Sequence, residues 1–233
     1  MSKEQKILEL VNNRRNEDFS NYSKEYYKLT DFHNGIYECD YISPWSISAN
    51  NINSDILVVL QDWSSSDSLS NDKIDYDSIN IGHTPSLKTN INLKMLLKDT
   101  FNIDDLSNIY VTNLFPFIKK GAMNASIPIK DTTQSATDYI LPLIEIIKPK
   151  VIVALGKQTY VSIKRAYDLK NKLSKDTIIS KMKISDIIEK EPIEIIFDKN
   201  ISKLYCQSHP GGLGIMNRGG IDIVKNDWKK MKN

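Results

Sequence analysis

Two hydrophobic grammars alternate along the chain, one with the period of a helix and one of short, unbroken apolar runs. Residues 3–18 are polar apart from Ile7, Leu8, Leu10 and Val11 at near-helical spacing, which predicts a surface helix. Residues 19–54 are rich in Tyr, Asn, Ser and Asp, with Pro44 and Trp45, and predict an irregular arm that wraps the core. The first strong strand signal is Asp55-Ile56-Leu57-Val58-Val59-Leu60, a continuous β-branched run of the kind buried on both faces of an α/β sheet. It breaks into the polar loop Gln61-Asp62-Trp63-Ser64-Ser65-Ser66.

Two more strands repeat the pattern, each after an amphipathic segment. Residues 89–101 carry Leu93, Leu96 and Leu97 on one face and lead to a strand over 108–112. Residues 133–148, with Pro142 marking a kink, lead to a strand over 151–156, and Gly156 opens a third helix. Late in the chain Ile193–Phe197 and 203–207 read as strands joined by the turn-prone Asp198-Lys199-Asn200. The second ends in Ser208-His209-Pro210-Gly211-Gly212, and a last helix covers about 221–231. This alternation predicts an α/β fold, a three-layer α/β/α sandwich around a mostly parallel sheet of about four strands. One domain is expected over 1–233, with 1–40 an accessory helix and arm and 164–192 an insertion. Residues 164–190 hold eight basic and four acidic side chains, which favours a solvated helical insertion over a DNA-facing patch.

Polar residues gather just after the strands. In open α/β sheets ligands bind outside the carboxyl ends of the strands, so Asp62, Asn113 and His209 are expected to converge there. Taken singly, each has a plainer reading: Asp62 a turn former, Asn113 a loop cap, His209 a surface histidine.

Composition narrows the chemistry. With 233 residues, 40% apolar and 26% charged, the chain has the material for a sizeable core. Its 31 basic and 29 acidic side chains, a net charge of +2, exclude the strongly basic coat of many nucleic-acid binders, so DNA contact would need a local patch. No apolar run approaches the roughly 18 residues of a membrane span, and the N-terminal residues lack a signal-peptide stretch, so a cytoplasmic location without membrane contact is expected. The two cysteines, Cys39 and Cys206, exclude a cysteine-built zinc site or a four-cysteine cluster, and a disulfide is not expected in a reducing cytosol. Three histidines, His33, His83 and His209, are too few for a multi-histidine metal centre without carboxylates.

The ordered strand-end motifs resemble those of the uracil-DNA glycosylase superfamily. Val58-Val59-Leu60-Gln61-Asp62-Trp63 is similar to its strand and water-activating loop, with Leu60 where glycine is usual. Val111-Thr112-Asn113-Leu114 is similar to the element whose asparagine reads the extruded base. Val151 to Gly156 resembles its buried Ala-Leu-Gly strand, and Ser208-His209-Pro210-Gly211-Gly212-Leu213 its last, histidine-proline motif. The likeness spans about residues 40–231.

The resemblance implies a glycosylase without metal or cofactor, acting on DNA as a monomer in base excision. Cleavage of an N-glycosidic bond develops positive charge on the deoxyribose and negative charge on the departing pyrimidine. Asp62 would then stabilise the cation and orient or deprotonate a water, and His209 would donate to the anion. Asn113 offers one donor and one acceptor in a plane, which matches uracil, and the same amide rotated matches cytosine. Gln61, Trp63, Ser64 and Tyr76 join the base-binding set, Tyr76 by its spacing as the stacking ring ahead of Trp63 and His83. Phe115 and Phe117 read as packing residues. Leu213 falls where the family carries its intercalating leucine, with Ile215 and Met216 as alternatives, and Arg218, Lys157, Ser65, Ser66 and Ser208 are phosphate contacts.

The departure from the family pattern bears on substrate. Strict uracil enzymes follow the aspartate with Pro-Tyr, whose ring excludes a C5 substituent, whereas Trp63 and Ser64 stand here. That admits a C5-modified pyrimidine beside uracil, such as the hydroxymethylated or glucosylated cytosine of some phage DNA, and with it a role in antiviral defence rather than DNA repair. No lysine occupies a motif position that would suggest a Schiff-base lyase, so a monofunctional enzyme is expected. Two other classes stay open: an inactive DNA-binding relative, and an unrelated α/β hydrolase or nucleotide-binding protein, although no Gly-x-Ser-x-Gly or Walker loop is present.

Overall fold

The computed structural model describes residues 1–70, 73–173, 177–190 and 192–232. Its strands are β1 (Ile56–Asp62), β2 (Tyr110–Phe115), β3 (Val151–Leu155), β4 (Ile193–Phe197) and β5 (Asn200–Gln207). In chain order the helices are α1 (Lys3–Arg15), α2 (Ser66–Leu69), α3 (Tyr76–Asn80), α4 (Lys88–Phe101), α5 (Ile129–Ser135) and α6 (Leu141–Ile147). They continue as α7 (Lys157–Lys170), α8 (Thr177–Lys181), α9 (Ile184–Ile188), α10 (Gly212–Arg218) and α11 (Ile221–Lys229).

The sheet runs β2-β1-β3-β5-β4, with β2, β1, β3 and β5 parallel and β4 antiparallel on the edge. Five strands therefore stand where about four were expected, because both arms of the β4–β5 hairpin join the sheet. Asp198 makes the reversal with a left-handed φ of 53°, a conformation Asp tolerates better than most residues.

The period-two geometry of β1 sorts its side chains into two cores. Leu57 and Val59 pack with Tyr110, Leu114 and the side of α6 and α7, while Val58 and Leu60 face Leu93, Leu96 and Leu97 of α4 and Trp228 of α11. This double burial is why the run is unbroken rather than alternating. Pro142 lies at the start of α6, directly after a π-helical turn at Ala136–Ile140 that joins α5 to α6, so its missing N–H falls at an irregularity of the helix.

Helix α1 buries Ile7, Leu10 and Val11 in the same core as the sheet, while Leu8 is exposed. Its buried Arg14 pairs with Glu38 and donates to the Cys39 carbonyl, which ties the helix to the arm. Tyr22 and Tyr26 of the arm meet Phe115 edge-on, and Tyr22 also meets Phe117, so both phenylalanines are core residues. Within 164–192, α7 buries Ala166 and Tyr167 and α9 buries Ile187 and Ile188 against the main core. Both cysteines are free thiols. Among the described residues no helix is long and apolar enough to cross a membrane.

Candidate active site

Strand β1 delivers Asp62 as its last residue, in register with Phe115 of β2. Beyond that point the loops after β1 and β2 are stitched together. The Ser66 N–H donates to the Lys119 carbonyl at 2.9 Å, the Asp67 N–H to the Gly121 carbonyl at 3.2 Å, and the Gly121 N–H to Ser66 Oγ at 2.8 Å. That stitching brings Lys119 Nζ to 2.6 Å from Asp62 Oδ2, with side chains only 5% and 9% exposed. Burial raises the Asp62 carboxyl above its ordinary value, against the opposing pull of Lys119, of His209 and of a hydrogen bond from the Gln61 side chain.

His209 reaches the same cleft from the loop after β5, two strands away in the sheet. His209 is an exposed residue, yet enough protein surrounds its ring that desolvation holds its pKa below the usual histidine value, with Asp62 pulling the other way. The Gly211 N–H donates to Nδ1 at 3.1 Å, which makes Nδ1 an acceptor and leaves the proton of the neutral ring on Nε2. A Cβ on Gly214 would lie 2.1 Å from the His209 carbonyl oxygen, so this tight passage requires glycine.

The cleft has a volume of about 380 Å³ and is lined by Asp62, Trp63, Ser64, His83 and His209 among others, within the range of small-molecule sites. Trp63 lines the cleft with its indole N–H on the Gly82 carbonyl at 2.9 Å and its ring edge against Tyr37. The ring platform is instead His83 stacked on Trp45, 4.0 Å apart and 2° from parallel. Burial pushes the His83 pKa down to about 4, with Lys94 adding to the effect, so the ring is neutral at pH 7. Nδ1 lies 3.1 Å from the Ile81 carbonyl, an acceptor, so it carries the proton, while Nε2 is buried without a partner.

Asn113 lies on β2 beside Leu60, which lines the cleft, although Asn113 itself does not. Its backbone N–H donates to Ser43 Oγ at 3.0 Å, but both amide atoms are closed off from solvent and unpartnered. Each such group costs about 1–3 kcal/mol until a partner meets it. Ser208, between β5 and His209, is likewise buried with its Oγ unpartnered.

Several expected positions fall elsewhere. Tyr76 is 64% exposed on α3 and does not line the cleft, because the chain turns its ring outward. Arg218 is spent on Asp227, at 2.6 Å and 3.0 Å, and on Glu189 at 2.9 Å, and is therefore a structural ion-pair residue rather than a phosphate contact. Ser65 is fully buried and donates to Ser68 Oγ, and Ser66 is held by the loop stitch. Leu213 and Met216 project from α10 at 72% and 66% exposure, while Ile215 packs inward against the core beside α11. Lys157, at the start of α7, lines a separate groove with Gln158 and Arg165.

Sequence reasoning missed Lys119 altogether and read Trp45 only as a marker of the arm. Nothing local distinguishes Lys119 from Lys120, and only the pairing of two loops selects it. No family model matches the chain, and no curated protein matches its sequence.

Proposed function

We propose that the chain is a monofunctional DNA glycosylase of the uracil-DNA glycosylase type, which hydrolyses the N-glycosidic bond of a flipped-out pyrimidine and leaves an abasic site. The observation that carries this reading is the meeting of Asp62 and His209 in one cleft, from strands separated by β3. Asp62 orients a water and takes its proton as the water attacks C1′, and its charge offsets the cationic sugar. His209 donates from Nε2 to the oxygen of the departing pyrimidine, the role for which its neutral tautomer is suited.

The unspent amide of Asn113 supports base reading, and side chains between it and the cleft must move for a base to reach it. Exposed Leu213 supports a wedge that fills the gap left by the flipped nucleotide. Lys157 is the phosphate contact that this reading keeps, since it lines a groove, whereas the sealed Ser208 hydroxyl does not reach a phosphate.

The substrate is uracil or a C5-modified pyrimidine. Ser64 on the cleft wall, a position that carries no bulky ring, favours room at C5 and so supports the second choice. Hydroxymethylated or glucosylated cytosine in phage DNA then becomes the target, and defence the role. Incubation with duplexes containing uracil, and with phage DNA carrying these cytosines, followed by an assay for abasic sites, decides between them. Abasic product from one substrate names the base. Binding without product identifies an inactive DNA-binding relative, and neither binding nor product sinks the reading.

A further inference from the structure

We propose that Lys119 is the positioning residue for Asp62, the cation that favours the ionised form of this buried carboxylate against desolvation and holds it at the cleft. The inference rests on Asp62 as the water-orienting group. A carboxylate with a side chain 9% exposed reverts to its neutral form unless a partner compensates the loss of water. Among the described residues, Lys119 is the cation paired with it, and Tyr37 lines the same cleft. Lys119 from the loop after β2 touches Oδ2 at 2.6 Å. His209 faces it from the loop after β5 with its neutral ring. Farther along the cleft wall stand Lys73, Asp75 and neutral His83, and the Asp75 carboxylate is occupied by Ser78 and Thr84.

The clamp also orients. Lys119 Nζ donates to Asp62 Oδ2 and to the Met123 carbonyl, so the ammonium is fixed at both ends and one carboxylate oxygen is taken. The Gln61 side chain also hydrogen-bonds the carboxylate, so it is held from two sides. Held between two acceptors as an ammonium, Lys119 has no lone pair with which to attack C1′, so the pair disfavours a Schiff base with the abasic product.

The test uses the full chain with carboxyl-labelled aspartate, with Asp62→Asn to assign the signal. In Lys119→Met the Asp62 titration seen by NMR moves up by about one to three pH units, while Lys119→Arg keeps it near the wild-type position. Lys119→Gln replaces Lys119→Met if that variant fails to fold. With the duplex on which wild-type protein is active, the acidic limb of kcat moves by the same amount and KM stays unchanged. An Asp62 titration unmoved in the uncharged variants overturns the proposal. So does a covalent DNA adduct trapped by borohydride in the wild type and lost with Lys119. If the wild type makes no abasic sites on any duplex tried, the glycosylase reading falls, and the NMR titration alone still decides the role of Lys119.

Discussion

The backbone N–H of Gly211 donates to Nδ1 of His209 at 3.1 Å, and this bond sets which imidazole nitrogen carries the proton of the neutral ring. A Cβ on Gly211 would lie 2.9 Å from that nitrogen and 3.0 Å from Thr89 Oγ1. Gly211→Ala should therefore displace the ring and lower kcat while the melting temperature changes little. His209→Ala and Asp62→Asn should each lower the rate by about 100-fold or more, measured as abasic sites formed in single turnover. Unchanged rates would remove either residue from the mechanism.

Burial of His83 against Trp45 makes folding sensitive to acid. The unfolded chain takes up a proton near 6.5 and the folded chain only near 4, so the unfolded state binds more protons between these values. Stability from this group is fully present above pH 6.5 and is lost as pH falls toward 4. His209 adds a change of the same sign, because its pKa is also lowered. Denaturant melts across that window should show a smaller acid loss in His83→Phe than in the wild type, by an amount of order a few kcal/mol.

Gly82 holds the platform that His83 and Trp45 form. Its φ is 79°, and a Cβ there would fall 1.7 Å from the Pro44 carbonyl oxygen. Gly82→Ala should cost about 2 kcal/mol or more and weaken the acceptor for the Trp63 indole, visible as a lower unfolding midpoint and altered tryptophan fluorescence.

Arg218 and Leu213 sit on the same short helix but should separate cleanly. Arg218→Ala leaves Asp227, 3% exposed, with only the longer contact from Lys230, and should cost about 3–5 kcal/mol of stability without changing the salt dependence of DNA binding. Leu213→Ala removes a side chain that is 72% exposed and should leave stability within about 0.5 kcal/mol. Its effect should appear as slower excision from duplex than from single-stranded DNA, since only a duplex needs the wedge.

The strands were legible because their signals are local. The run 55–60 declares burial on both faces, and the polar residues that follow it mark a strand end wherever the sheet happens to place it. Asp62 and His209 could thus be named from the sequence, since the carboxyl ends of parallel strands share one edge. The same logic reached Asn113 and set it one strand away, at a position sealed from the cleft wall.

By itself, then, the sequence determined an α/β sheet, the order along the chain of its five strands and the long helices between them, and the edge where Asp62 and His209 lie. Tertiary structure alone decided the partners. It matched Lys119 to Asp62, stacked His83 on Trp45, spent Arg218 on Asp227, faced Tyr76 outward and turned Ile215 in while leaving Leu213 exposed. The physical reason is that residue type reveals a charge or a ring, whereas its counterpart depends on which distant loops the sheet order brings together. The Lys119–Asp62 contact exists because β1 and β2 are neighbours whose following loops hydrogen-bond to one another, a relation that no window of sequence contains.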